Sequence, residues 1–161
     1  MKILLLGGLL GAVSLSVQAD DYVKMDLSSC SYVVKDSFCL GGSVPNEMYL
    51  GERKKGEQNT LKLTTSEFPS NGEFGYEYNG KLMGLILSLK PATKERYESV
   101  RDQLIKIHGL GHERLIAVGK TYKIDKPKYS VFLSGDLRRL SIKYTDKSVQ
   151  KQYENRPVSG L

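Results

Sequence analysis

The stretch FGYEYNGKLMGLILSL, residues 74–89, decides the fold. Asn79-Gly80 stands between two runs of aromatic and aliphatic residues, and Asn-Gly readily supplies the paired positive φ values of a two-residue type I′ turn. The turn predicts a hairpin in which Tyr78 faces Lys81, Tyr76 faces Met83 and Phe74 faces Leu85. One face then carries Phe74, Tyr76, Met83, Leu85, Leu87 and Leu89. The other carries Glu73, Gly75, Glu77, Leu82, Gly84 and Ile86. The first face is the more apolar and is expected to form the core. A slip of one residue would turn that whole set outward, so the pairing is strongly specified.

Downstream, Pro91-Ala92-Thr93 stops the strand and opens a helix over about 93–108, with Thr93 as N-cap. Tyr97, Val100, Leu104, Ile107 and Ile105 recur on one side, and charged residues fill the rest. Gly109 suits the left-handed position that ends a helix. This amphipathic helix is expected to lie across the apolar sheet face. Three strands follow: one long strand over 115–124, one over 129–133, and Leu140 to Tyr144 with Leu140, Ile142 and Tyr144 inward. Ser134-Gly135-Asp136 reads as a turn, and 146–154 as a short helix.

Upstream, Tyr32-Val33-Val34 and Phe38-Cys39-Leu40 form two short extended arms. Ser43 is placed to cap a helical turn over Val44–Leu50, with Pro45 inside and Gly51 at its end. Glu52 to Asn59 reads as an exposed loop, and Leu61 to Thr64 as a strand closed by a turn at Pro69–Gly72. The sum is an α+β fold: an antiparallel β-sheet with one main amphipathic helix packed on one face, plus a short N-terminal helical turn.

The ends and the totals locate the protein. Lys2, an apolar run from Ile3 to Val17, and Val17-Gln18-Ala19 before Asp20 have the pattern of a cleaved secretory signal over 1–19, leaving a single domain over 20–161. The run is shorter than the roughly 20 residues of a membrane span, and no second one follows. Export places the protein in the periplasm or outside the cell. Two cysteines, Cys30 and Cys39, then read as a disulfide, worth about 2.5–3 kcal/mol on the chain-entropy account. With 24 Lys+Arg against 18 Asp+Glu the chain carries +6, which favours anionic partners. In that compartment these are an acidic protein, an anionic envelope polymer or lipid head groups, not nucleic acid.

No cofactor or metal is implied. Gly75 to Lys81 matches part of a phosphate-binding loop, but Leu82 stands where Ser or Thr is needed, and the context is a hairpin. His108, His112 and Glu113 form the one His/carboxylate cluster, yet Gly109 and Gly111 between the histidines break the helical register that would aim both rings together. An envelope hydrolase built on those three residues is the alternative to a non-catalytic binding protein of inhibitor, immunity or assembly-factor type. Binding is expected from Arg53, Lys54 and Lys55 on a mobile loop, and from Lys120, Tyr122, Lys123, Arg138, Arg139 and Lys143 on the last strands.

In outline, a capped short helix at Gly42-Ser43 with Glu47 before a glycine, then a polar loop, a hairpin, one amphipathic helix and further strands resembles the small exported BamE-like envelope proteins and β-lactamase inhibitor proteins. What that resemblance implies is a fold arrangement only.

Overall fold

Alternating apolar residues and turn formers arrange the chain into strands and two helices in a computed structural model, described over residues 24–63, 74–117, 119–136 and 138–157. In chain order these are β1 (Tyr32–Val34), β2 (Phe38–Leu40), β3 (Gln58–Lys62), β4 (Phe74–Tyr78), β5 (Lys81–Leu89), α1 (Lys94–His108), β6 (His112–Ile116), β7 (Gly119–Asp125), β8 (Tyr129–Asp136), β9 (Leu140–Asp146) and α2 (Lys147–Glu154). β1 and β2 make a two-stranded sheet, and the other seven an antiparallel sheet in the order β3-β4-β5-β9-β8-β7-β6. The protein is α+β. The expected signal segment and the turn at Pro69–Gly72 lie outside the described residues.

The Asn79-Gly80 turn forms as its chemistry requires, with φ of 51° and 81°. Pairing starts as expected, Tyr78 against Lys81 and Glu77 against Leu82, and then shifts. Tyr76 faces Gly84, Gly75 faces Leu85 and Phe74 faces Ile86, so Met83 is the extra residue of a β-bulge. That one residue exchanges the faces of the hairpin. Leu82, Leu85 and Leu87 all point into the core, together with Glu77, while Phe74 is left 44% exposed. The expected inward face was therefore wrong for Phe74, Tyr76 and Met83, and right for Leu85 and Leu87.

The buried face of the large sheet continues through Leu61, Leu140, Ile142, Tyr144, Val131, Leu133, Tyr122 and Ile124. Two layers cover it. The β1–β2 hairpin, joined by the Cys30–Cys39 disulfide, brings Val34, Phe38 and Leu40 to the same core as α1's Tyr97, Val100 and Leu104. The chain after β2 is laced to the start of β5: Gly41 N–H donates to Leu82 O at 2.9 Å, and Leu82 N–H to Gly42 O at 2.9 Å. Ser43 is part of this lacing and not a cap. It bridges to Lys81, and the 3-10 turn that follows, Asn46–Met48, starts from Pro45 without a side-chain cap.

α1 begins where expected, the Thr93 hydroxyl accepting from Arg96 N–H, and ends on Gly109 at φ 89°. Its inner face differs by one residue: Ile107 is 65% exposed and His108 is buried in its place. The segment read as one strand over 115–124 is two, β6 and β7, folded back as a hairpin. Ser134-Gly135-Asp136, read as a turn, extends β8. There the chain needs glycine because the helix comes close: a Cβ on Gly135 would stand 2.6 Å from Cδ2 of Tyr97. α2 lies at the other end, its N-terminus held by Asp146, whose Oδ1 accepts from Val149 N–H at 2.8 Å.

Because the Tyr97 ring is buried and cannot swing aside, Gly135→Ala is expected to lower stability by about 1–3 kcal/mol. Urea unfolding reads this as a lower midpoint with an unchanged slope. A midpoint equal to wild type would mean that α1 does not approach β8 as closely as described.

Candidate binding face

The residues expected to bind do not form one patch. Strand alternation splits the basic set between the two faces of the sheet. Lys120 lies on the helix side, 3.3 Å from Glu113, which also pairs with Arg101 at 3.4 Å. Tyr122 is only 6% exposed, and its hydroxyl accepts from Gly111 N–H at 2.8 Å, so it is built into the core side of the sheet and offers little surface. Lys123 and Lys143 project from the opposite face. Arg138 and Arg139 are exposed just before β9, and Arg53, Lys54 and Lys55 stand ahead of β3 at the far edge.

The opposite face carries a pattern visible only across strands. The registers align Lys62, Phe74, Ile86, Lys143, Phe132, Lys123 and His112 in one row that crosses all seven strands. Basic residues are interspersed with apolar ones, and the row holds no acid. Lys123 pairs with Asp125 at 2.9 Å, whereas Lys143 has no ion pair among the described residues. On one side the row is flanked by small hydroxyls, Ser141, Ser134 and Thr121, ending at Arg114. α2 covers the face only around Tyr78 and Met83, through Val149 and Tyr153.

The backbone of the basic loop is tied to β3 by side-chain hydrogen bonds. Glu77, wholly buried, accepts from Asn59 Nδ2 at 2.7 Å and from Gly80 N–H, and stands 3.4 Å from Arg53 Nη2. Asn59 in turn grips the loop backbone: its Oδ1 accepts from Lys54 N–H at 2.8 Å, and its Nδ2 donates to Lys54 O at 2.9 Å. Arg53 is thus committed to the clamp. Lys55 is presented on a braced turn.

His108 and His112 part company. His112 stands on β6, opposite Lys123 on the open face. His108 is buried in an aromatic cage with ring centroids of Tyr32, Tyr129 and Tyr144 at 5.0, 5.8 and 5.9 Å, and its Nδ1 is 3.1 Å from the Tyr129 hydroxyl. Glu113 faces neither histidine's ring but Tyr97, Arg101 and Lys120. Among the described residues no group of three His, Cys, Asp or Glu is arranged to hold a metal. Burial, and secondarily the charge of Lys126, holds the His108 pKa below its usual 6.5.

Two outcomes follow from these polar interiors. Glu77→Ala removes the acceptor of the part-buried Gly80 N–H and the shortest of the three contacts of Asn59 Nδ2, and should cost about 1–3 kcal/mol, with faster amide exchange at Lys54–Glu57. Unchanged exchange there would sink the clamp. For His108, the unfolded chain binds the proton more tightly than the native one, so stability is lost as pH falls from about 6.5 towards the depressed native value. His108→Gln should flatten the stability profile in that window, and a profile identical to wild type would exclude the cage as its cause.

In comparison with known proteins, no family model, no curated protein and no solved structure matches the chain.

Proposed function

We propose that the protein is an exported, non-catalytic binding protein that engages an acidic protein partner of the cell envelope, and that it does so with the open sheet face. The observation that carries this reading is the row from Lys62 to His112, in which basic groups are interspersed with Phe74, Ile86 and Phe132 across seven strands. Cations alone would serve a phosphate or carboxylate polymer. Apolar groups set between them suit a protein surface, where a desolvated centre supplies affinity and complementary charge supplies steering. The Cys30–Cys39 disulfide is compatible with an oxidising compartment, and among the described residues no helix is long and apolar enough to cross a membrane. The scattered His108, His112 and Glu113 support no hydrolase.

The reading is tested by saturable binding to an immobilised, lipid-extracted envelope protein fraction, beside phosphatidylglycerol vesicles and purified cell wall. Ile86→Glu with Phe132→Glu, and separately Lys62→Glu with Lys123→Glu, should each weaken binding to the protein fraction by about tenfold or more. Binding should also fall as salt rises. Binding that ignores both pairs of substitutions, or that occurs with vesicles or cell wall and not with protein, overturns it.

A further inference from the structure

Beside the bulge the open face is hollow. A cavity of about 330 Å3 opens there between the sheet and α2, lined by Tyr76, Met83, Gly84, Lys143, Tyr153 and Glu154, among others. The bulge makes it: with Met83 inserted, Gly84 comes opposite Tyr76 on one side and Thr145 on the other, and it presents no side chain. Glycine is required at that point, since a Cβ would stand 2.7 Å from the Tyr144 carbonyl oxygen. Bulges commonly re-aim side chains where a strand borders a functional site.

We propose that this cavity binds an N-acylated apolar amino acid, its carboxylate at Lys143, its amide N–H at Glu154 and its side chain against Tyr76, Met83 and Tyr153. The volume sits at the small end of ligand pockets, room for a single residue and not for a nucleotide or flavin. The apolar lining is two tyrosine rings and a thioether, surfaces that adapt to aromatic or aliphatic groups. Lys143 supplies the one cation of the lining. Its ammonium stands 6.0 Å from the Tyr76 ring centroid with no carboxylate paired to it among the described residues. The acceptor comes from Glu154, whose Oε1 takes a hydrogen bond from Gln150 Nε2 at 2.7 Å, leaving lone pairs on its other oxygen. A cation, an acceptor and an apolar seat match the carboxylate, amide and side chain of such a residue. The same atoms are offered by a free acylated amino acid and by the last residue of a polypeptide. The inference rests on the open face being a binding surface, because Lys143 belongs to both.

Methionine-methyl NMR tests it on the intact protein, because Met83 borders the cavity while Met25 and Met48 lie in the main core and act as internal controls. The probes are N-acetyl-phenylalanine, its carboxamide, and a tetrapeptide ending in phenylalanine with a free or an amidated terminus. Both free acids should shift the Met83 methyl saturably and leave Met25 and Met48 in place. Amidation, and Lys143→Gln, should each weaken binding by about tenfold. Tyr153→Ala should abolish the shift while the Met25 and Met48 signals stay native. A tetrapeptide that binds more tightly than the acetylated amino acid identifies a chain terminus as the ligand, and the reverse order a free one. No saturable shift of Met83, or equal affinity for acid and amide, overturns the proposal. The Lys62→Glu, Lys123→Glu protein should still bind these probes, so loss of partner binding and loss of this site are read separately.

Discussion

One inserted residue governs this molecule. Without the bulge at Met83, strict alternation from the Asn79-Gly80 turn would set Leu85 and Leu87 on the same side as Phe74 and Tyr76, and Leu82 on the side opposite. With it, Leu82 and Leu85 share a face, and both are wholly buried. β5 is thereby apolar inward along its length, and it can serve as a central strand between β4 and β9. The same insertion leaves Phe74 and Ile86 on the outer side, and it places Gly84 where the open face becomes concave. Core, binding face and cavity are three results of a single break in the period-two pattern.

The bulge also takes a carboxylate inside. Glu77 travels with the buried face, where an unsatisfied anion would be intolerable. Asn59, the Gly80 N–H and Arg53 meet it, and through Asn59 the burden of satisfying Glu77 becomes an order imposed on the 54–57 backbone. The other polar interior group, His108, is treated differently. It ends α1 with its ring inward while Ile107 faces out, packs among tyrosine rings, and has its pKa lowered by burial. In each case a polar residue fixes an element against the sheet: the basic loop beside the β3 edge, the C-terminus of α1 against the interior strands β8 and β9.

Local chemistry made much of this legible. The type I′ turn, the Thr93 cap, the Gly109 stop, the inward set Leu140, Ile142 and Tyr144, and the Cys30–Cys39 bond depend on residues near one another in the chain, and each appears where its residues place it. What misled was uniform periodicity. Gly119 carries little turn signal of its own, so β6 and β7 read as one strand. Ser134-Gly135-Asp136 has turn composition, yet Gly135 is there to admit Tyr97, a contact from a helix more than thirty positions away. Tyr122 resembled a wet binding tyrosine because its neighbours are lysines, but its partner, Gly111, is set by the β6–β7 pairing.

By itself the chain determined the class of fold, the hairpin turn, the bounds of α1 and the disulfide, because those follow from short-range sterics, capping and the two-residue period. Tertiary structure alone decided which lysines stand together. Lys62, Lys143 and Lys123 are far apart in sequence, and only antiparallel pairing in registers shifted by a bulge brings them into one row with Phe74, Ile86 and Phe132. Which face of a strand meets the core is settled by what packs against it, and no local pattern in residues 74–89 specifies that.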